Sequence, residues 1–187
     1  MKKLLIRGTE YRISFTVSAY VEVCNLCGSI ENLREWLSEG KAHDKLKSLL
    51  TLMIRAYERE KNYKIRKGFI DGEVAFDEVN LPKYFNSTEI IIIYNAVFSE
   101  ITQALYHEIP KNVDIKRDSE DFGYEFIMQR KAEEKGVKRP NKALSAISRG
   151  LMCGLDYETI MNTMTPGEVM QIWLYQLESK GGTNGKA

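Results

Sequence analysis

A pair of closely spaced cysteines is the feature of this sequence with the clearest potential for chemistry. Cys24 and Cys27 form a C-x-x-C motif, which supports redox chemistry where it opens a helix, because the helix N-terminus lowers the thiol pKa. Here the motif falls at the end of a predicted helix, with Cys24 on the apolar face. A zinc site would need a second pair of ligands, and none follows nearby. We therefore interpret Cys24 as a small core residue and Cys27 as a helix-end residue.

The other ionisable residues form no pattern typical of an enzyme. The two histidines, His43 and His107, are far apart in the sequence. The run DSEDFGYE is rich in carboxylates, but nothing brings two of them into a shared apolar site. The terminal GGTNGKA imitates part of a phosphate loop, yet no Ser or Thr follows its lysine. The sequence predicts no catalytic residue, no metal site and no bound cofactor.

The basic run REKNYKIRKG around Tyr63 is the segment that could contact nucleic acid. Such a run is more often the solvated end of a helix, and the net charge of +1 provides no overall basic field. The chain is 43% hydrophobic, enough for a core. Its apolar runs are too short to span a bilayer. We expect a soluble cytoplasmic protein with no membrane contact and with nucleic acid as an unlikely partner.

Hydrophobic periodicity predicts a mainly α fold that begins with a β-hairpin. Two short β-type runs flank Gly8 and Thr9, and the second alternates apolar and polar residues, as a half-buried strand does. Segment 69–86 is turn-rich and is expected to hold one short helix before Pro82. The helices predicted in the first part of the chain begin after Thr16, at Ser29, near His43 and after the capping box Asn86–Glu89. Gly68 is expected to end the helix that begins near His43.

The last part of the chain is predicted to be a charged linker followed by three short helices. Charges of both signs and few apolar residues mark 110–139 as the linker, with a transient helix around EFIMQRKAEEK. Asp156 is the expected N-cap of the second short helix. In TPGE, Thr165 is the expected N-cap of the third, Pro166 its first residue and Glu168 the partner in a capping box. Helices this short must pack on each other or on a partner.

Two stretches of the chain resemble the tail assembly chaperones of long-tailed phages and prophages. The opening LLIRGTEYRISFTVSAYVEVCNLCGSIENLREWL has a short β pair, F-T-V-S-A leading into a helix, a small-residue turn and an ENL helix. The end, ISRGLMCGLDYETIMNTMTPGEVMQIWL, resembles the C-terminal extension of the longer form, in which G-L-x-Y/W precedes M-T-P-x-E. The likeness covers roughly the first third and the last quarter of the chain.

The resemblance implies a non-enzymatic protein that coats the tape measure protein, which is long, helical and aggregation-prone. In that family the extension recruits tail tube subunits, which polymerise around the tape measure protein and displace the chaperone. It also implies a homo-oligomer that is absent from the mature virion. The expected regions are a tape-measure-binding domain (1–109), a charged linker (110–139), a C-terminal helical extension tethered by it (140–180) and a flexible tail (181–187).

Two sets of apolar residues are the candidate partner contacts. Helix stripes of the first domain could form grooves for an amphipathic helix of the tape measure protein. The methionines and aromatic residues of the extension form either a small core or an adaptable surface for tail tube protein. The tape measure candidates are Tyr20, Trp36, Met53 and Tyr57, and the tail tube candidates are Tyr157, Met161, Met164, Thr165, Pro166, Met170 and Trp173.

The sequence is also compatible with two alternative functions. One is a structural phage adaptor of the head–tail connector type, which would remain in the particle. The other is a small DNA-binding regulator that uses the basic run around Tyr63, although the near-neutral charge of the chain speaks against it.

Overall fold

The computed structural model describes residues 2–76, 78–107 and 142–181. As predicted, the protein is mainly helical there and begins with a β-hairpin. The predicted linker with its transient helix lies outside the described residues, as does the predicted tail beyond Gly181. The elements are β1 (Lys2–Ile6), β2 (Thr9–Ile13), α1 (Val17–Cys27), α2 (Leu33–Ser38), α3 (Ala42–Arg66), α4 (Ser87–Leu105), α5 (Lys142–Met152), α6 (Tyr157–Thr163) and α7 (Pro166–Gly181).

The hairpin closes through a two-residue turn. β1 and β2 are antiparallel with Ile6 opposite Thr9, which leaves Arg7 and Gly8 between them. Both turn residues have positive φ, 50° and 80°, as a type I′ turn requires. The inward side chains of the two strands are buried in the main core, so the hairpin closes one side of the helical body.

The long helix α3 is the centre of this body. It has 25 residues and contacts β2, α1, α2, α4 and α6. Leu49, Leu50 and Met53 on its apolar stripe have no exposed surface. The helix ends where the sequence predicts, because Gly68 takes a left-handed conformation with φ 72°.

The prediction of a short helix before Pro82 is wrong for the described residues, since 69–76 and 78–85 contain no helix. Side chains of α3 and the hairpin satisfy backbone groups that a helix would have satisfied internally. The buried Asn62 donates to the carbonyl of Ala75 (2.7 Å) and accepts from the amide of Ala75 (3.2 Å). The Tyr11 hydroxyl donates to the carbonyl of Asn80 at 2.6 Å. These long-range bonds override local helix propensity.

The capping box predicted at the start of α4 is present. The amide of Glu89 donates to the Asn86 side chain, and the amide of Asn86 donates to the Glu89 carboxylate, both at 2.8 Å. Arg7 of the hairpin turn binds the same carboxylate through two nitrogens at 2.8 and 3.0 Å. The hydrogen bond from Arg7 lowers the pKa of Glu89. The start of α4 is therefore joined to the hairpin.

Both N-caps predicted near the C-terminus are also present. The Asp156 carboxylate accepts from the amide of Thr159 at 2.9 Å. The amide of Thr165 donates to the Glu168 carboxylate at 2.7 Å, and the amide of Glu168 donates to the Thr165 hydroxyl at 3.2 Å. Pro166 is the first residue of α7, where its missing N–H costs nothing.

Helices α5, α6 and α7, called here the C-terminal trio, lie against the first part of the chain. α5 and α6 contact α1, α6 also contacts α3, and α7 contacts α4. The amide of Val17 donates to the carbonyl of Met164 at 2.8 Å, and the hydroxyls of Tyr63 and Thr159 lie 2.7 Å apart. The buried cluster that joins the two parts consists of Val17, Ile160 and Val169.

The contact between α7 and α4 depends on a glycine. A Cβ at Gly167 would overlap the carbonyl oxygen of Tyr106 and would lie 2.9 Å from that of Ala104. Both obstacles are backbone atoms, which cannot move aside as a flexible side chain can. The start of α7 therefore approaches the end of α4 as closely as it does because residue 167 has no side chain.

We expect Gly167→Ala to loosen the trio from α4 and to lower the free energy of unfolding by about 1–3 kcal/mol, the usual cost of overpacking. Urea unfolding followed by circular dichroism measures this loss. Ser179→Ala, at an exposed position of the same helix, is the control and should stay within about 0.5 kcal/mol of wild type. Equal stability of the two variants would contradict the close contact.

Candidate partner-binding surfaces

The tape measure candidates divide between core and surface. Met53 is 0% and Tyr20 6% exposed, so both lie in the core and offer a partner almost no surface. Trp36 is half-buried on α2, with the Lys45 ammonium 5.0 Å from the centre of its ring. Tyr57, also half-buried, lies about 18 Å further along α3 than Lys45 at 1.5 Å per residue. The structure therefore does not gather the four residues into one surface.

An apolar groove that the sequence analysis did not single out lies between α2, the start of α3 and the first half of α4. It encloses about 260 Å³. Ile90 and Tyr94, one helical turn apart, form the α4 side. Leu37 and Leu46 line the opposite side. Mostly apolar walls with few polar groups are typical of a binding groove.

The outward face of α4 beside this groove carries no charge. The two charged residues of the helix are Glu89, which binds Arg7, and Glu100, which is 3% exposed. Ile91 and Ile92 are 60% and 46% exposed. In a chain of which 28% is charged, an uncharged apolar face is typical of a contact surface. The four isoleucines at 90–93 are the sequence signal for it, because a helix cannot bury four consecutive side chains on one face.

The tail tube candidates are also divided. Pro166 is buried and Trp173 is 8% exposed, with the Arg149 guanidinium 4.9 Å above its ring. Tyr157 is 55% exposed. The remaining candidates are half-buried: Met161, Met164, Thr165 and Met170.

Other apolar side chains of the trio are exposed. Met152 is 70% exposed, Tyr175 53% and Leu151 48%. Together with Tyr157 they are called here the outer apolar residues of the trio. Periodicity placed Trp173 on an apolar face, but only packing shows that this face is covered.

The two cysteines of the C-x-x-C motif occupy the predicted positions. Cys24 is 3% exposed in the core, and burial raises the pKa of its thiol to about 11. Cys27 is the last residue of α1, where its sulfur lies within 3.0 Å of the carbonyl oxygens of Val23 and Ser29. Burial is also the main cause of its raised thiol pKa. Neither thiol is activated as a nucleophile. In the described ranges, no cluster of His, Cys, Asp or Glu could hold a metal ion.

The basic run at the end of α3 does not present its aromatic residue. Tyr63 is 4% exposed, and its hydroxyl is hydrogen-bonded to the hydroxyl of Thr159. A buried ring cannot stack on a nucleic-acid base. The arrangement gives no support to the DNA-binding alternative.

Comparisons with known proteins identify no relative. No protein-family model matches the chain, and neither a curated protein nor a solved structure matches it significantly. Within the part of the chain that the structure describes, no helix combines the length and the apolarity needed to cross a bilayer. Function must be inferred from the surfaces above and from the resemblance of the two terminal stretches.

We expect the buried Cys24 to make the fold sensitive to alkaline pH. Below pH 9 the thiol is protonated in the folded and unfolded chain alike. Between its ordinary pKa of 9.0 and the folded value of about 11, only the unfolded chain loses the proton, so stability falls as pH rises. Burial also raises the Tyr20 pKa, which adds a loss of the same sign. Cys24→Ala should therefore show a smaller fall.

Urea unfolding midpoints measured from about pH 8 to pH 11 test this expectation. Cys153→Ala is the control, because Cys153 lies outside the core clusters. Identical pH profiles for wild type and Cys24→Ala would contradict the role assigned to burial of Cys24.

Proposed function

We propose that this protein is a tail assembly chaperone of a long-tailed phage or prophage, acting in the host cytoplasm without catalysis. It binds the tape measure protein through the groove and the uncharged face of α4, and it recruits tail tube subunits through the C-terminal trio. The proposal rests on the apolar, uncharged face of α4, which lies beside a groove formed between helices. The resemblance of both terminal stretches to that family supports the same function.

The groove fits the apolar stripe of a helix. Ile90, Tyr94 and Phe98 recur every four residues along α4, and the rings of Tyr94 and Phe98 lie 4.3 Å apart. An amphipathic helix places residues at the same spacing into such a groove. A long helical protein with many exposed stripes aggregates unless they are covered. Many copies of this chain, each covering one stripe, would keep it soluble.

The small size of the groove suits a chaperone that must later leave. A groove of about 260 Å³ is slightly smaller than the roughly 300–1,000 Å³ of a typical ligand pocket, so it accommodates only a few side chains of a partner. Each contact is therefore weak, and the coat holds through its many copies. Polymerising tube subunits can then displace the copies one at a time.

The trio and the groove both belong to the packed body that α4 is part of. The start of α7 contacts the end of α4, whereas the groove uses the first half of α4. The 19 residues of α4 span about 28 Å at 1.5 Å per residue. A tube subunit bound to the trio and a tape measure helix bound at the groove would therefore be held on one packed body, joined through α4. The flexible tether between them remains a prediction from the sequence.

We expect Ile91→Asp to abolish protection of the tape measure protein, because it places a charge in the uncharged face. When both proteins are coexpressed, the soluble fraction of the tape measure protein measures the effect. Binding should weaken at least tenfold, about 1.4 kcal/mol or more. Phe69→Asp is the matched control, since Phe69 is 71% exposed beyond the far end of α3, and it should protect as wild type does.

Circular dichroism of both variants separates loss of binding from loss of fold. Equal protection by Ile91→Asp and wild type would contradict the assignment of α4. Finding the protein in purified virions would favour the structural adaptor, because a chaperone leaves before the particle is complete.

We expect Met152→Asp to weaken retention of tail tube protein about tenfold, because Met152 is the most exposed of the outer apolar residues. Protection of the tape measure protein should be unchanged. Leu26→Asp, at a 48% exposed position of α1, is the control and should retain tube protein. Trp173→Ala should instead lower the stability of the fold by about 3 kcal/mol, because Trp173 is packed. Pull-down of tube protein and thermal melting measure these effects, and full retention by Met152→Asp would contradict the outer surface as recruiter.

A further inference from the structure

One exposed cation lies across the apolar groove. Arg34 on α2 lines the groove together with Tyr94 of α4, and its guanidinium carbon lies 5.6 Å from the centre of the Phe98 ring. Among the described residues, no carboxylate forms an ion pair with it. This cation–π contact bridges α2 and α4 and keeps the charge at the groove.

His43 also lines the groove, and its ring is already engaged. His43 Nε2 accepts a hydrogen bond from the amide of Phe85 at 2.9 Å. The Asp44 carboxylate lies 3.6 Å from Nδ1. Arg34 is therefore the groove-lining side chain with a permanent charge.

A guanidinium held over a ring by a cation–π contact can still bind a carboxylate. The contact is made with the face of the ring and uses none of the five N–H donors, whose fork matches a carboxylate. A helix that covers the groove also removes water from around this charge, which strengthens its attraction to a carboxylate and its repulsion of a cation.

We propose that the groove binds an amphipathic helix that carries a Glu or Asp beside its apolar stripe, with the carboxylate paired to Arg34. This inference rests on the proposed function for the source of the helix, which is the tape measure protein. The α4 stripe continues beyond the cavity to Phe98, and Ile91 is exposed beside it. A small acid that fills about 260 Å³ would leave both uncovered, whereas a helix covers them.

Two synthetic helical peptides test the inference with the full-length protein. They share one leucine stripe and differ only in the residues that flank it, Glu in one and Lys in the other. In fluorescence anisotropy, wild type should bind the Glu peptide at least tenfold more tightly. Arg34→Glu should reverse this preference. Arg66→Glu makes the same charge change at an exposed position of α3, about 30 Å along the helix from the groove-lining Leu46. This variant should keep the wild-type preference.

Equal affinity of wild type for the two peptides would overturn the inference, as would an unchanged preference in Arg34→Glu that still melts like wild type. Binding of decanoate that depends on Arg34, without binding of either peptide, would overturn it in favour of a small-acid site. In one outcome, wild type protects the tape measure protein, Ile91→Asp does not, and the two peptides bind equally. That outcome overturns only the role of Arg34 and leaves the proposed function standing. If the tape measure protein is not protected at all, the proposed function fails.

Discussion

Burial of the apolar stripe of α3 is the interaction on which the rest of the structure depends. Leu49, Leu50 and Met53 have no exposed surface, and the hairpin, α1, α4 and α6 all pack against this helix. The short elements among them, which would be marginal alone, gain stability by covering one long helix. A change that opens this stripe would therefore disturb every candidate surface at once, including those that do not touch α3.

Helix α4 combines a buried side with an exposed apolar side, and its sequence is divided accordingly. Ile93 and Val97 have no exposed surface and join the core, whereas Ile91 and Ile92 face outward. The capping box and Arg7 fix where the helix starts and how it lies against the hairpin. The exposed apolar side is thus presented by a fixed element, so binding of the proposed partner helix would carry a lower entropic cost.

The C-terminal trio is joined to the rest of the protein by contacts as specific as those within it. The amide of Val17 donates a hydrogen bond to the carbonyl of Met164, and Val17 shares a buried cluster with Ile160. Gly167 permits the close approach of α7 to α4. In the described residues, the groove and the trio therefore belong to a single packed body.

The sequence by itself determined the local features: the hairpin, the helix periodicity, the end of α3 at Gly68 and the capping boxes at Asn86 and Thr165. Each depends on residues a few positions apart, so their spacing contains the necessary information. Tertiary structure decided what depends on residues distant in sequence. Asn62 holds Ala75 in a segment where a helix was predicted. Periodicity places a side chain on a face, but only packing determines whether another element covers that face. The sequence therefore could not show that Met53 and Trp173 are buried, and it could not predict the groove beside Arg34.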